Sequence, residues 1–299
     1  MGVGTWAWGD RRVWGYGGDY NDSDVRAAYD ISASAGITFY DTAEIYGLGT
    51  SEKLLGSFIR AGEDSSRMVV ATKWFPLPWR LFPRRSIPRA LRHSLERLGL
   101  EKVHLYQIHW PSPLVDIKAA MLGLADAVNQ GLTETVGVSN FNADQTRRAH
   151  AVLAEQGIPL ATNQIQYSLV HRQPEFNGLM ETCRELGVTV IAYSPLGMGT
   201  LTGKYTPDNP PAGTRSRRYN PEFLAQMQPL IAQIRKIGQQ HGNKTPAQVA
   251  INWVIAHGAI PIPGAKNTRQ AEENLGAVGW SLAADEVAAL DEISASLSH

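Results

Sequence analysis

Cysteine is nearly missing from this chain. Among 299 residues there is one, Cys183. A single thiol forms no internal disulfide, which suits a reducing compartment. Its setting, Met180-Glu181-Thr182-Cys183-Arg184-Glu185-Leu186, reads as helix, where cysteine acts as a small packing group. Net charge is missing too: 28 basic and 28 acidic side chains cancel, and no long run of one sign occurs. That balance argues against nucleic acid or an anionic membrane surface as the main partner. No apolar run approaches the roughly 20 residues of a membrane span, and no signal-peptide pattern opens the chain.

Metal and phosphate-loop signatures are also wanting. There is no H-E-x-x-H, and His104 and His109, on one apolar run, point to opposite faces of a strand. No metal is expected. Gly197 to Lys204 superficially resembles a phosphate loop, but the spacing is wrong and Tyr205 stands where a hydroxyl should meet magnesium. The partners these absences leave are small molecules, with a monomer or weak oligomer as the assembly and the cytoplasm as the location. Met1 leads directly into Gly2-Val3-Gly4-Thr5-Trp6, already strand-like. The alternative expectation is therefore an upstream segment, either a barrel-floor plug or a transit peptide directed to the plastid stroma.

What the chain does have is rhythm. Hydrophobic residues make up 43%, enough for a large core. Short Val/Ile-rich runs alternate with helix-period segments. Strands are expected at 3–6, 38–40, 68–72, 103–108, 135–138, 161–166, 189–192 and 259–262. Helices are expected at 24–35, 51–60, 87–98, 115–130, 143–155, 174–186, 223–240 and 246–256, with a terminal helix over 283–296. The strand runs are continuous rather than alternating, as in strands covered on both faces. Ser51, Asp22 and Ser23 read as helix starts and Pro246 as a first-turn proline. Gly36, Gly99, Gly131, Gly157 and Gly187 follow helices, where a left-handed residue is wanted. Eight such units imply parallel pairing and a closed (β/α)8 barrel, one α/β domain over 1–299. Two connections are unusually long, 74–86 and 197–220, and long loops in compact domains are usually lids or binding loops.

The chemistry gathers at strand ends. In a barrel those ends converge on one mouth. Asp41, Lys73 and His109 close three consecutive apolar runs, and Tyr46 sits in the turn just beyond Asp41. A free phenol, with a pKa of about 10, is too weak an acid near neutrality. A neighbouring ammonium is expected to lower it, Asp41 to hold that ammonium, and His109 to bind a carbonyl oxygen or share the proton. Each residue alone has an ordinary structural explanation; together they suit proton delivery to a carbonyl oxygen as hydride reaches carbon. Trp6, Trp74 and Trp110, with the 197–220 loop, are expected to wall a substrate pocket beside Tyr46 and His109.

Four separated motifs resemble the aldo-keto reductase family: Asp41-Thr42-Ala43-Glu44-Ile45-Tyr46-Gly47, Val70-Ala71-Thr72-Lys73, Gln107-Ile108-His109-Trp110, and Ile262-Pro263-Gly264-Ala265-Lys266-Asn267. Tyr193-Ser194-Pro195-Leu196-Gly197 is more similar to its bacterial, plant and potassium-channel β-subunit branches. The resemblance implies NADP(H) lying across a barrel mouth, with Tyr46 as general acid. It implies Ser139, Asn140 and Gln164 on the nicotinamide carboxamide, and Tyr193 stacked on the ring. Gly4, Thr5, Trp6 and Asp41 would border the cofactor. Ser194, Leu196, Gly197, Lys204 and Arg215 would hold the pyrophosphate. Gly264, Lys266, Gln270, Glu273 and Asn274 would hold the adenosine end. Lys266 also makes physical sense as a point charge for a 2′-phosphate. The function implied is NADPH-dependent reduction of aldehydes or ketones, pyridoxal among them. The alternative is a regulatory subunit that senses the cofactor and turns over slowly.

Overall fold

The computed structural model describes residues 1–62, 65–212, 216, 217 and 219–297. Eight strands form one sheet in chain order: β1 Val3–Gly4, β2 Phe39–Asp41, β3 Val69–Trp74, β4 Val103–Ile108, β5 Thr133–Ser139, β6 Leu160–Gln166, β7 Thr189–Tyr193 and β8 Ile260–Pro261. Every neighbouring pair is parallel. The sheet closes on itself. Gly2 N–H donates to the Pro261 carbonyl at 2.9 Å, Gly4 N–H donates to the Pro263 carbonyl at 3.2 Å, and Gly4 bridges to Gly264. A Cβ on Gly4 would stand 2.8 Å from the Ile262 carbonyl oxygen, so glycine is what lets this seam close.

The helices lie outside: α1 Asp22–Ser34, α2 Thr50–Ala61, α3 Pro83–Leu98, α4 Ile117–Asn129, α5 Ala143–Ala154, α6 Gln173–Phe176, α7 Leu179–Glu185, α8 Pro221–Gln240, α9 Pro246–Ala256, α10 Thr268–Leu275 and α11 Ala284–Ala295. Reciprocal capping boxes start several, with Asn142 and Thr245 each accepting from the third backbone N–H of its helix. The five glycines expected after helices all take positive φ, from 66° to 87°.

Outward strand residues such as Tyr40, Val70, Tyr106 and Val136 join the main core beneath the helices. The inward face is apolar toward the floor, where Ala71, Leu105, Ile191 and Ile262 cluster. Toward the mouth it turns polar. Most strands are thus buried on both faces, which is why they read as unbroken apolar runs.

Three local expectations need correction. Ser51 is not a helix start. α2 begins one residue earlier behind Gly49, and the Ser51 hydroxyl points inward to bond Thr5 and Thr42. The cap of α1 is Asn21 rather than Asp22 or Ser23, because its side chain reaches the Ser23 N–H at 2.9 Å. The single helix expected over 174–186 is two. Gly178 takes φ 78° and the Asn177 side chain accepts from the Leu179 N–H, so an Asn-Gly pair ends one helix and starts another.

Close helix packing rests on Gly56. A Cβ there would lie 2.1 Å from the Leu98 carbonyl oxygen at the end of α3. A Gly56→Ala substitution gains about 1 kcal/mol of helix propensity, but overpacking against fixed backbone costs on the order of 1–3 kcal/mol. The net change should be destabilising, read as a lower urea midpoint with an unchanged slope.

Candidate active site

Asp41 ends β2 with its carboxylate inside the barrel, 1% exposed. It accepts from Lys73 Nζ at 2.5 Å, Gln164 Nε2 at 2.8 Å and Gln107 Nε2 at 3.4 Å. Lys73, on the facing row of β3, has no solvent exposure. Its ammonium also donates to the Thr42 carbonyl at 2.8 Å and to Tyr46 Oη at 3.4 Å. Since Lys73 donates to that oxygen, the phenolic hydrogen is left to point elsewhere.

Tyr46 is brought there by an unusual turn. Gly47, Leu48 and Gly49 have φ of 55°, 54° and 88°, three left-handed residues in succession. A Cβ on Gly47 would stand 2.6 Å from the Gly9 carbonyl oxygen, so only glycine fits. His109 extends the β3–β4 ladder by one rung, its N–H donating to the Trp74 carbonyl at 2.9 Å. Its ring centre is 5.6 Å from the Tyr46 ring and 5.6 Å from Phe75, edge-on to both. Its buried Nδ1 makes no hydrogen bond within the protein.

The pKa directions correct one expectation. Burial, with a further contribution from Asp41, holds Tyr46 well above the ordinary tyrosine value, so Lys73 does not lower it. At rest, burial of the hydroxyl and the nearby negative charge of Asp41 outweigh the ammonium, so the phenol keeps its proton. Burial also lowers Lys73, opposed by Asp41 and then Glu52. Burial, then the Lys73 charge, pushes His109 well below the usual histidine range. The resting site thus has a protonated phenol and a neutral imidazole.

A polar chain continues around the mouth. Gln164 C=O accepts from Ser139 Oγ at 2.8 Å. Asn140 Nδ2 donates to Ser139 Oγ at 2.9 Å and to the His109 carbonyl at 3.0 Å, while its Oδ1 accepts from Tyr193 Oη at 2.9 Å. Asn140 and Ser194 both hold positive φ, 62° and 52°, where the chain leaves β5 and β7. Backbone in this region is maintained only where surroundings over-determine it, as at binding sites. Beyond Ser194, Leu196 leads into a 3₁₀ turn over Gly197–Thr202, and Lys204 follows with its ammonium 4.9 Å from the Tyr205 ring centre.

At the far end, Lys266 precedes α10. Its N–H donates to Gln270 Oε1 at 3.0 Å. Its ammonium donates to the Trp14 carbonyl at 2.8 Å and lies 4.6 Å from the Tyr20 ring centre. Asn274 Nδ2 donates to the Gly264 carbonyl at 3.2 Å, and the Glu273 carbonyl accepts from Gln248. Arg215 lies outside the described residues. Trp6 does stand at the mouth, its ring 6.2 Å from Tyr46 and stacked on it.

Three placements differ from expectation. Trp74 follows Lys73 on the same strand and so faces outward. It is fully buried in the core between barrel and helices, not a pocket wall. Trp110 lines a cavity of about 680 Å³ between β4 and α5 whose lining includes none of Asp41, Tyr46, Lys73 and His109. The Thr5 hydroxyl is spent on Ser51 and the Asp41 carbonyl, inside the wall. Sequence reasoning also passed over Gln107, Phe75, Trp14 and the Thr42 carbonyl. Gln107 had a signal, since it sits two residues before His109 on one strand face. The others come from loops whose path no periodicity reports.

One consequence concerns acid. A histidine that is neutral when folded binds its proton more readily when unfolded, so stability falls as pH drops below about 6.5. His109→Gln removes this group, and its melting temperature should fall less steeply than wild type between pH 6.5 and 5, read by circular dichroism.

The model of the aldo/keto reductase family matches residues 1–295. A pyridoxal reductase named chloroplastic, from Arabidopsis thaliana, is 40% identical over 298 residues, covering 96% of this chain and 80% of that protein. Among solved structures, a glycerol dehydrogenase from Gluconobacter oxydans is 29% identical with a TM-score of 0.84, over 99% of this chain and 91% of that one. An aldo-keto reductase from Klebsiella pneumoniae, solved in complex with NADPH, is 26% identical with a TM-score of 0.76, over 98% and 90%. A barrel of this topology, with this buried acid–lysine pair under a tyrosine and the family's pattern from end to end, belongs to the aldo/keto reductase family of oxidoreductases.

Proposed function

We propose that this chain reduces aldehydes or ketones with NADPH, Tyr46 serving as general acid. One observation carries this reading. The Tyr46 hydroxyl is contacted by a buried ammonium while the imidazole of His109 stands edge-on beside it. A phenol kept protonated and a histidine kept neutral can both meet a carbonyl oxygen without presenting a charge to it. Tyr46 then gives up its proton, and the Lys73 ammonium, donating to the same oxygen, stabilises the phenolate that results. Asp41 keeps that ammonium oriented and charged.

The donor set at the mouth suits a nicotinamide nucleotide. Ser139, Asn140 and Gln164 supply amides and a hydroxyl, Tyr193 supplies a flat ring, and Lys204 and Lys266 supply cations for phosphates. NADPH, when bound, supplies the hydride. The NADPH-bound structure from Klebsiella supports the choice of cofactor. Gly4, Trp6, Ser194, Leu196, Gly197, Gln270, Glu273 and Asn274 belong to the same reading. Because the relative from Arabidopsis is a pyridoxal reductase, pyridoxal heads the panel of carbonyls to try.

Removing the phenol in Tyr46→Phe should lower kcat for carbonyl reduction by roughly 10²–10⁴-fold, the usual worth of a positioned acid, with NADPH affinity kept in a fluorescence titration. A variant with wild-type turnover would defeat the mechanism, and at most one turnover by the wild type would favour the cofactor-sensing alternative. Lys266→Ala removes one charged partner of the 2′-phosphate, on the order of 1.5–3 kcal/mol. It should weaken NADPH by about ten- to a hundredfold and leave NADH nearly unchanged. Because His109 stays neutral far below its usual pKa, kcat/KM should be flat from pH 8 down to pH 6 and decline only in stronger acid.

A further inference from the structure

Glu44 lies between Asp41 and Tyr46 in sequence but takes no part in the proton relay. Its position is nonetheless specific. The β2–β3 ladder continues past the strand ends: Thr42 N–H donates to the Ala71 carbonyl at 2.9 Å, and Glu44 N–H donates to the Lys73 carbonyl at 3.4 Å. The next rung has no backbone acceptor. Glu44 Oε1 fills the place, accepting from the Phe75 N–H at 2.7 Å. The same carboxylate is held by the fork of Arg80, which bonds Oε1 through Nη1 and Oε2 through Nη2 at 3.0 Å. Arg80 Nη1 also donates to the Phe75 carbonyl at 3.0 Å, and Phe75 C=O accepts from the Leu77 N–H at 2.9 Å. The guanidinium lies 5.8 Å from the Trp74 ring centre. The side chains of the pair are 20% and 9% exposed, so solvent screening is reduced.

We infer that Glu44 and Arg80 are positioning residues for the reduction. They form a brace that fixes the turn over 75–80, and through it sets the edge of Phe75 against His109 and shapes the carbonyl end of the substrate pocket. The inference rests on the reading of the reaction given above. Its geometry is economical. Glu44 ties the loop carrying Tyr46 to the loop touching His109, so both hydrogen-bonding partners of the carbonyl are referred to one carboxylate. At the adenosine end of the cofactor site, Lys266 bonds Gln270 and the Trp14 carbonyl instead. Loss of the brace is therefore a defect toward carbonyl, not toward nucleotide.

The test uses full-length Glu44→Gln, Arg80→Ala and Arg80→Lys, each checked for folding by circular dichroism. Glu44→Gln keeps an acceptor for Phe75 but loses the charge. Arg80→Lys keeps a charge without the fork. In Arg80→Ala, kcat/KM for the carbonyl should fall about 10- to 100-fold with a raised KM for carbonyl, while NADPH affinity stays within twofold. Arg80→Lys should recover part of the loss. The primary isotope effect with deuterated NADPH should rise, because a misplaced carbonyl makes hydride transfer slower. A purely structural role would lower the folded fraction and move neither KM nor the isotope effect.

Amide exchange supplies a readout independent of turnover. The Phe75 amide should be protected in the wild type and lose protection in Arg80→Ala. Unchanged kcat/KM with lost protection overturns the proposal, since the brace would then hold a loop that does not matter. Unchanged protection overturns it too, because the brace would not exist. If the wild type itself reduces no carbonyl, the reading of the reaction fails first and is seen without any variant.

Discussion

The site depends on one buried pair. Lys73 and Asp41 sit 2.5 Å apart with almost no exposure, on neighbouring strands of a closed barrel. Removing two charges from water is expensive, and their attraction repays it only when the remaining hydrogen-bonding capacity is met. Here it is met. Asp41 has two carboxamides besides the ammonium, and Lys73 has a backbone carbonyl and a phenol besides the carboxylate. The pair costs folding free energy in isolation. The barrel absorbs the cost because its strands deliver the two carboxamides from the inside face and the loop after β2 delivers the Thr42 carbonyl and the Tyr46 phenol.

That arrangement explains the polarity of the barrel interior. Toward the floor the inward residues are apolar, and toward the mouth they are Asp41, Lys73, Gln107, Thr162 and Gln164. Gln107 accepts from Thr162 Oγ1 at 3.2 Å while donating to Asp41. Space for this row comes partly from Gly137, where a Cβ would stand 2.1 Å from Thr162 Oγ1. Polar satisfaction and steric room are thus supplied by adjacent strands. A half-satisfied network here would be worse than an apolar core.

The electrostatics follow from the same pair. Burial acts first on the neighbours and the charges of the pair add to it: Asp41 helps keep the proton on the phenol and Lys73 helps keep the imidazole neutral. Both are the uncharged forms that a hydrophobic pocket prefers, and both can make hydrogen bonds to an oxygen. Cys183, in α7, obeys the same rule: burial pushes its thiol up to about 11 and keeps it inert.

Much of this was legible in the chain. Short apolar runs alternating with helical periods specify a parallel barrel, because such runs are buried on both faces and need crossovers. Titratable residues at the ends of those runs must meet at one mouth, so Asp41, Lys73 and His109 could be grouped from sequence alone. Local chemistry also announced the glycines that end helices. What sequence did not report was set by contacts between distant segments. The outward aim of Trp74 follows from strand phase, which becomes certain only once pairing is known. The direction of the Tyr46 pKa is set by burial and then by the nearness of Asp41, which only the packed structure reveals. The Trp14 carbonyl on Lys266 and the grip of Glu44 on Phe75 and Arg80 join loops that periodicity does not describe. Sequence determined the elements and the chemistry at their ends; tertiary structure decided phase, distance and burial, which turn those residues into a working site.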